Sequence, residues 1–457
     1  MARRIPLFAL ALALIVTGCR KAQEPAPAAA RENPEAASAP AITPAPSIAP
    51  LEPGSFVKVE KGTFVLDGKP YRFVGANFWE GMNLGADGPG GNRARLLREL
   101  DRMRGLGLTN LRVMASSEGP NTEPHRIIPA LMVSPGVYDE KVLDGLDFLL
   151  AEMGKRGMRA VMVLNNFWQW SGGMAQYVSW HEKSPIPYPG DYEQFIKYSG
   201  KFYSYPECQK WFRGHIAMIV NRVNPYTGTA YKDDPAVFSW ELGNEPRRYP
   251  SGWIGETAAY IKSLDGNHMV TTGSEGEPPG EPGQKFVATH RAPDIDYVTI
   301  HIWPQNWDWF DPKKPSTYES AEGKCVAYFR KLDRDAISLG KPLVLEEFGL
   351  ARDWEPLRDN LNPASPTTYK DRFYTALYRE VLSSMSAGGA AAGDNFWAWA
   401  GEGRPGAGWV GDPPHEPAGW YSVYDADAST LAVISSHARE MAQTSQASET
   451  RQPPGSK

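Results

Sequence analysis

Two short segments have the residue types for paired-carboxylate chemistry: Trp240-Glu241-Leu242-Gly243-Asn244-Glu245-Pro246 and Leu343-Val344-Leu345-Glu346-Glu347-Phe348-Gly349. Each runs from apolar, strand-like residues into a glutamate that a sharp turn should hold at the strand's carboxyl end. Glu245 and Glu347 presented in this way suit cleavage of a glycosidic bond. One carboxyl stays protonated to donate to the leaving oxygen while the other stays ionised to attack the sugar carbon. Their surroundings must then push their pKa values apart.

The elements that would hold the pair alternate along the chain. Strand candidates lie at 72–77, 110–114, 160–165, 237–241, 269–272, 297–301, 343–347 and 395–399, with helical candidates at 93–105, 141–156, 208–223, 253–264, 325–338 and 369–384. Eight strand–helix units predict a (β/α)₈ TIM barrel of α/β class. Residues 56–59 and 63–66, separated by Glu60-Lys61-Gly62, read as a short N-terminal β-hairpin that could plug the barrel's amino-terminal mouth. A doubly wound sheet competes, but no G-x-G-x-x-G follows the first strand, and the stretch from Gly85 to Gly91 lacks the Lys-Ser/Thr of a P-loop.

Barrel chemistry sits at the carboxyl ends of the strands. There the eight candidates deliver Asn77 and Trp79, Arg112, Asn165-Asn166-Phe167-Trp168, Asn244 and Glu245, His301 and Trp303, Glu347, and Trp397 with Trp399. Aromatic faces receive the C–H faces of sugars while placed polar groups meet the hydroxyls, so 15 tryptophans, many in loops, favour a carbohydrate ligand. Trp211, Trp240 and Trp399 read as core instead.

Asn244-Glu245-Pro246 and Glu347-Phe348-Gly349, together with Leu111-Arg112-Val113, His301-Ile302-Trp303 and Phe396-Trp397, resemble glycoside hydrolase family 5, a retaining (β/α)₈ group. Gly75-Ala76-Asn77-Phe78-Trp79, Leu164-Asn165-Asn166 and the run from His301 to Trp307 look like its endo-β-1,4-mannanase branch. The resemblance spans residues 54 to about 439. It implies that Glu245 is the acid/base and Glu347 the nucleophile. Asn244 would bind the 2-hydroxyl, and Arg112 would sit beneath Glu347 and favour its ionised form. His301 and Trp303 would hydrogen-bond around the glutamates, and Trp397 would floor the cleavage point. Trp79, Asn166 and Trp168 join the substrate-binding set. Position 303 is tryptophan where many relatives carry tyrosine, so it can donate but not exchange a proton. Glu346 should point away from Glu347 by strand alternation and be structural. No neighbouring ligands mark His301 as a metal site, and no cofactor is expected.

This reading implies a β-mannan-type substrate. A β-1,4-glucanase or mixed glucomannan hydrolase is the alternative within enzymes, since mannose and glucose differ only at the 2-hydroxyl. An inactive surface glycan-binding lipoprotein is the alternative of another class.

The chain ends read differently. Arg3 and Arg4 precede the apolar run from Ile5 to Val16, and Val16-Thr17-Gly18-Cys19 resembles a bacterial lipobox. Residues 1–18 are then a lipoprotein signal and Cys19 the lipidated residue, which predicts export and a membrane anchor, in the outer membrane or at the cell surface if the host is Gram-negative. Residues 19–53 are a Pro/Ala-rich tether that at about 3.1 Å per residue could reach roughly 100 Å. The catalytic domain spans 54–443 and a polar tail 444–457. Losing the signal removes two arginines, leaving 46 basic against 53 acidic residues, which argues against a nucleic-acid partner. Cys208 and Cys325 could be bridged or be two buried thiols, and a monomer is expected.

Overall fold

The computed structural model of the 457-residue chain describes residues 49–188, 192–280 and 285–450. The expected lipobox with Cys19, most of the expected tether and the last residues of the expected tail lie outside the described residues. Leu51 already donates its N–H to Gly154 O at 3.0 Å, so the folded part begins a little before residue 54. The final helix, Ala428–Thr450, runs through the boundary expected at 444.

Eight parallel strands build the barrel: Phe73–Asn77, Asn110–Met114, Arg159–Val163, Val237–Glu241, Met269–Thr271, Val298–Ile302, Leu343–Phe348 and Ala391–Phe396. All eight are buried along their whole length, which suits their near-continuous apolar runs. Their hydrogen-bonded order runs 5-4-3-2-1-8-7-6, leaving one seam between the fifth and sixth strands. Single bonds stitch that seam: Asp296 N–H to Val270 O at 2.9 Å, Thr271 Oγ1 to Tyr297 O at 3.0 Å, and His301 N–H to Glu275 O at 3.1 Å. The eighth strand lies earlier than the sequence suggests. Trp399 belongs instead to a short outer strand, Trp399–Gly401, that pairs with Val423–Tyr424.

The N-terminal hairpin gains a third strand, so Lys58–Glu60, Thr63–Leu66 and Lys69–Pro70 form a small antiparallel sheet. Its fully buried Phe64 packs at the amino ends of the barrel strands, edge-on to Phe238 at 5.2 Å and Tyr297 at 5.3 Å. That layer seals the bottom and leaves the opposite end for chemistry. Trp240 and Trp399 are core, but Trp211 is only half-buried on the helix Pro206–Asn221. Cys208 and Cys325 are unbridged buried thiols.

Candidate active site

The turn after the fourth strand is built around a strained residue. Glu245 has φ +47°, a left-handed conformation that costs a non-glycine residue about 1–3 kcal/mol and is held only where its surroundings enforce it. Its N–H donates to Gly273 O at 2.9 Å, and a Cβ at Gly273 would stand 2.2 Å from both Glu241 Oε1 and Gly243 O, so glycine is the residue that fits there. Asn244 is fixed at the same turn: its Nδ2 donates to Asn166 Oδ1 at 3.1 Å and its Oδ1 accepts from Arg112 Nη2 at 2.8 Å.

Glu245 and Glu347 meet across a buried histidine. His301 Nδ1 lies 2.7 Å from Glu245 Oε1 and 3.2 Å from Glu347 Oε2, and one polar atom from each of the three side chains lies within 4.8 Å of the other two. Trp168 Nε1 donates to Glu245 Oε2 at 2.6 Å. Arg112 donates through Nη1 to Glu347 Oε1 and to Asn77 Oδ1, the latter at 3.0 Å. The same guanidinium forks onto Glu241 through Nε at 2.8 Å and Nη2 at 2.6 Å. The sequence reading gave His301 no neighbouring ligands, whereas the fold places carboxylates around it. Arg112 and Trp168 already occupy them with donors.

Two cations thus face a larger set of carboxyls. Burial alone drives Glu245 up, but hydrogen bonding and charge from His301, aided by Arg247 and Trp168, overcome it and hold the carboxyl at about 2. His301 moves the other way, to about 10, because Glu347, Glu245 and Glu346 outweigh its own burial. Burial pushes Glu347 up, against His301 and Arg112. Burial likewise lifts Glu241 to about 7 and Glu275 to about 8. His301 is thus raised beside a lowered Glu245 and a raised Glu347, the reverse of the order expected of the two glutamates.

A cleft of about 600 Å³ opens above the pair. Trp168, Trp303, Trp397, Asn244 and both glutamates line it as expected. Trp397, whose peptide bond to Ala398 is cis, keeps its indole N–H buried without a partner. Trp303 meets Trp397 edge-on at 5.8 Å and Tyr421 at 5.0 Å. Arg112 and His301 take the places beneath and around the glutamates expected of them, whereas two expected substrate contacts, Asn166 and Trp79, lie elsewhere. Asn166 is a layer below, orienting Asn244. Trp79 is buried behind Trp170, its indole donating to Gly411 O at 2.8 Å.

Other cleft groups were passed over by the sequence reading. Glu275 lines the cleft from the loop after the fifth strand, and the fully buried Glu241 ends the fourth strand beneath it, a position that could have marked it. Arg247 pairs with Glu275 at 2.6 Å and lies over the Trp168 ring at 4.8 Å. The loop after the eighth strand adds His415, stacked on Trp170 and pushed down to about 4 by burial, and Glu416, whose side chain is 15% exposed with Oε2 unpartnered. Burial and the neighbouring Asp412, Glu347 and Glu245 push the Glu416 carboxyl well up. No local pattern in that Pro-rich segment announces a site residue.

The family model described as "GH family 5 beta-mannosidase-like" matches residues 54–446. Mannan endo-1,4-beta-mannosidase 1 of Oryza sativa subsp. japonica is 32% identical over 410 residues, covering 85% of this chain and 86% of the relative. The crystal structure of a glycoside hydrolase family 5 mannosidase from Rhizomucor miehei is 40% identical with a TM-score of 0.82, covering 86% of this chain and 99% of that one. A glutamate-to-alanine variant of the Rhizomucor enzyme, solved in complex with mannosyl-fructose, superposes with the same TM-score of 0.82.

Proposed function

The chain is a glycoside hydrolase of family 5, and from that premise we propose that it is a retaining endo-β-1,4-mannanase acting on mannan, glucomannan or galactomannan. One observation carries the retaining assignment: Glu245 and Glu347 bring oxygens within 4.8 Å of each other. Double displacement wants carboxyl groups about 5–5.5 Å apart, whereas inversion needs roughly 6.5–9.5 Å to admit a water between them. Glu347 attacks the anomeric carbon while Glu245, supplied with its proton by His301 Nδ1 at 2.7 Å, protonates the leaving oxygen and is left as a carboxylate. Glu245 then deprotonates the water that releases the glycosyl-enzyme. Asn244 meets the 2-hydroxyl and Trp397 the sugar face.

Release of reducing ends from mannan, glucomannan and carboxymethyl-cellulose tests the reading. Preference for the first two supports a mannanase, preference for the last a glucanase, and release from none would leave only a glycan-binding role.

A second reading, attack at chain ends, is favoured by the place of Glu416. Residues 413–417 stand between the cleft and a second cavity of about 440 Å³ lined by Trp79 and Trp409, and Glu416 borders both. Its unpartnered Oε2 would hold a hydroxyl of a terminal sugar. On this reading mannohexaose yields mannose from the outset, and Glu416→Ala raises KM about tenfold, as loss of a buried hydrogen-bonding partner does. A ladder of intermediate oligosaccharides, unchanged in the variant, supports internal attack instead.

Val16-Thr17-Gly18-Cys19 supports export and lipid anchoring through Cys19. The enzyme is then expected in the membrane fraction, and Cys19→Ser should move it to the soluble one. A soluble wild type would overturn the anchor.

A further inference from the structure

Glu346 has no part in two-carboxylate chemistry, yet its side chain is fully buried directly beneath it. Alternation in a regular strand would turn it away from its neighbour Glu347. The ladder breaks here instead: Ile300 pairs with Leu345 and His301 with Glu347, leaving Glu346 as the extra residue of a bulge. Its Oε2 consequently lies 3.4 Å from His301 Nε2 and 3.7 Å from Arg112 Nε, while Oε1 has no hydrogen-bond partner.

Both ring nitrogens of His301 therefore face carboxylates. A neutral imidazole has one N–H and one lone pair, so a ring that has given up its Nδ1 proton must keep the other on Nε2. Glu346 is the group placed to accept from it. We propose that Glu346 is a positioning residue that holds the Nε2 proton of His301, so that Nδ1 carries the proton Glu245 delivers to the leaving oxygen. The inference rests on Glu245 being the acid/base. In the first step the Nδ1 proton passes to Glu245 Oε1 and on to the glycosidic oxygen, as Glu347 bonds to the anomeric carbon and the glycosidic bond breaks. His301 is left neutral, its Nε2–H on Glu346. In the second step water bonds to the anomeric carbon and Glu347 departs as a carboxylate. The proton lost by water returns through Glu245 to Nδ1. The buried carboxylate of a serine-hydrolase triad fixes the tautomer of its histidine in the same sense.

Charges reach this ring from several elements. Arg112 comes from the second strand, Glu241 and Glu245 from the fourth strand and its turn, Glu275 from the loop after the fifth, and Glu346 and Glu347 from the seventh. Removing one carboxylate from beside the imidazolium makes its proton easier to lose, so the shift must be downward.

The test is Glu346→Gln in the full chain, which keeps the volume and removes the charge. Two readouts are taken: the pH dependence of kcat/KM, and ¹⁵N-histidine NMR with the His301 signal identified by its loss in His301→Asn. The basic limb and the His301 titration should both move down by about one pH unit, with kcat about tenfold lower and KM within about twofold. An unmoved His301 titration in a folded variant overturns the inference, as does a uniform loss of kcat at every pH. Wild-type inactivity on β-mannosides would sink the functional reading alone, because the NMR titration still reports on Glu346. Should the glutamine variant not fold, Glu346→Asp retracts the carboxylate by one methylene and should lower the same titration.

Discussion

Glu347→Ala is expected to lower turnover of mannan oligosaccharides by about five orders of magnitude or more, the scale seen when a covalent nucleophile is removed. Binding should persist, since Trp168, Trp303, Trp397 and Asn244 still line the cleft. The fold should persist too. Arg112 keeps its two-pronged contact with Glu241 and its bonds to Asn77 and Asn244, so the variant leaves no buried guanidinium without partners. Azide fits the space vacated by the carboxylate and attacks from the same side, so its product should be a glycosyl azide of inverted configuration. Stopped-assay kinetics with isothermal titration separate the two effects. Turnover within about a hundredfold of wild type would mean a different nucleophile, and Glu346, drawn inward by the bulge, would be the first suspect.

The direction of Glu346 marks where sequence reasoning stops. The eight strands follow from apolar runs that a parallel barrel buries on both faces, and Asn110–Met114 and Val237–Glu241 coincide with the expected limits. Strand eight slipped because Ala390-Ala391-Ala392-Gly393 has the look of a linker. Gly393 carries no side chain because Phe73 leaves no room: a Cβ there would stand 2.5 Å from its ring. Glu245 and Glu347 were legible because each follows an apolar run at the carboxyl end of its strand, Glu245 in the turn and Glu347 one residue before the strand stops. Alternation, however, holds only in an unbroken ladder, and a bulge has no fixed residue signature outside its glycine forms. Glu241 escaped for a related reason: a carboxylate four residues before the acid/base gives no hint that Arg112 will grip it from another strand. Trp79 failed in the opposite sense. Its motif places it at a strand end, but Trp170 from a longer third loop stands in front of it.

Glu245→Ala should separate the two chemical steps. With a natural mannoside the leaving oxygen needs its proton, and losing the acid is expected to lower kcat/KM by about 10³–10⁴-fold. A 4-nitrophenyl leaving group departs as a stable phenolate without help, so the same variant should lose no more than about tenfold in kcat/KM on that substrate. Release of the sugar from Glu347 still requires a base, so the glycosyl-enzyme should accumulate and the first turnover appear as a burst. Azide needs no deprotonation and should restore turnover with net retention, opposite in stereochemistry to the product from Glu347→Ala. The electrostatics change in a defined direction as well. His301 loses a hydrogen-bonded carboxylate 2.7 Å away, so its proton should leave at lower pH than in the wild type. Equal losses on good and poor leaving groups would remove Glu245 from the acid role. A burst with azide rescue would fix the division of labour between the two glutamates independently of which sugar the cleft prefers.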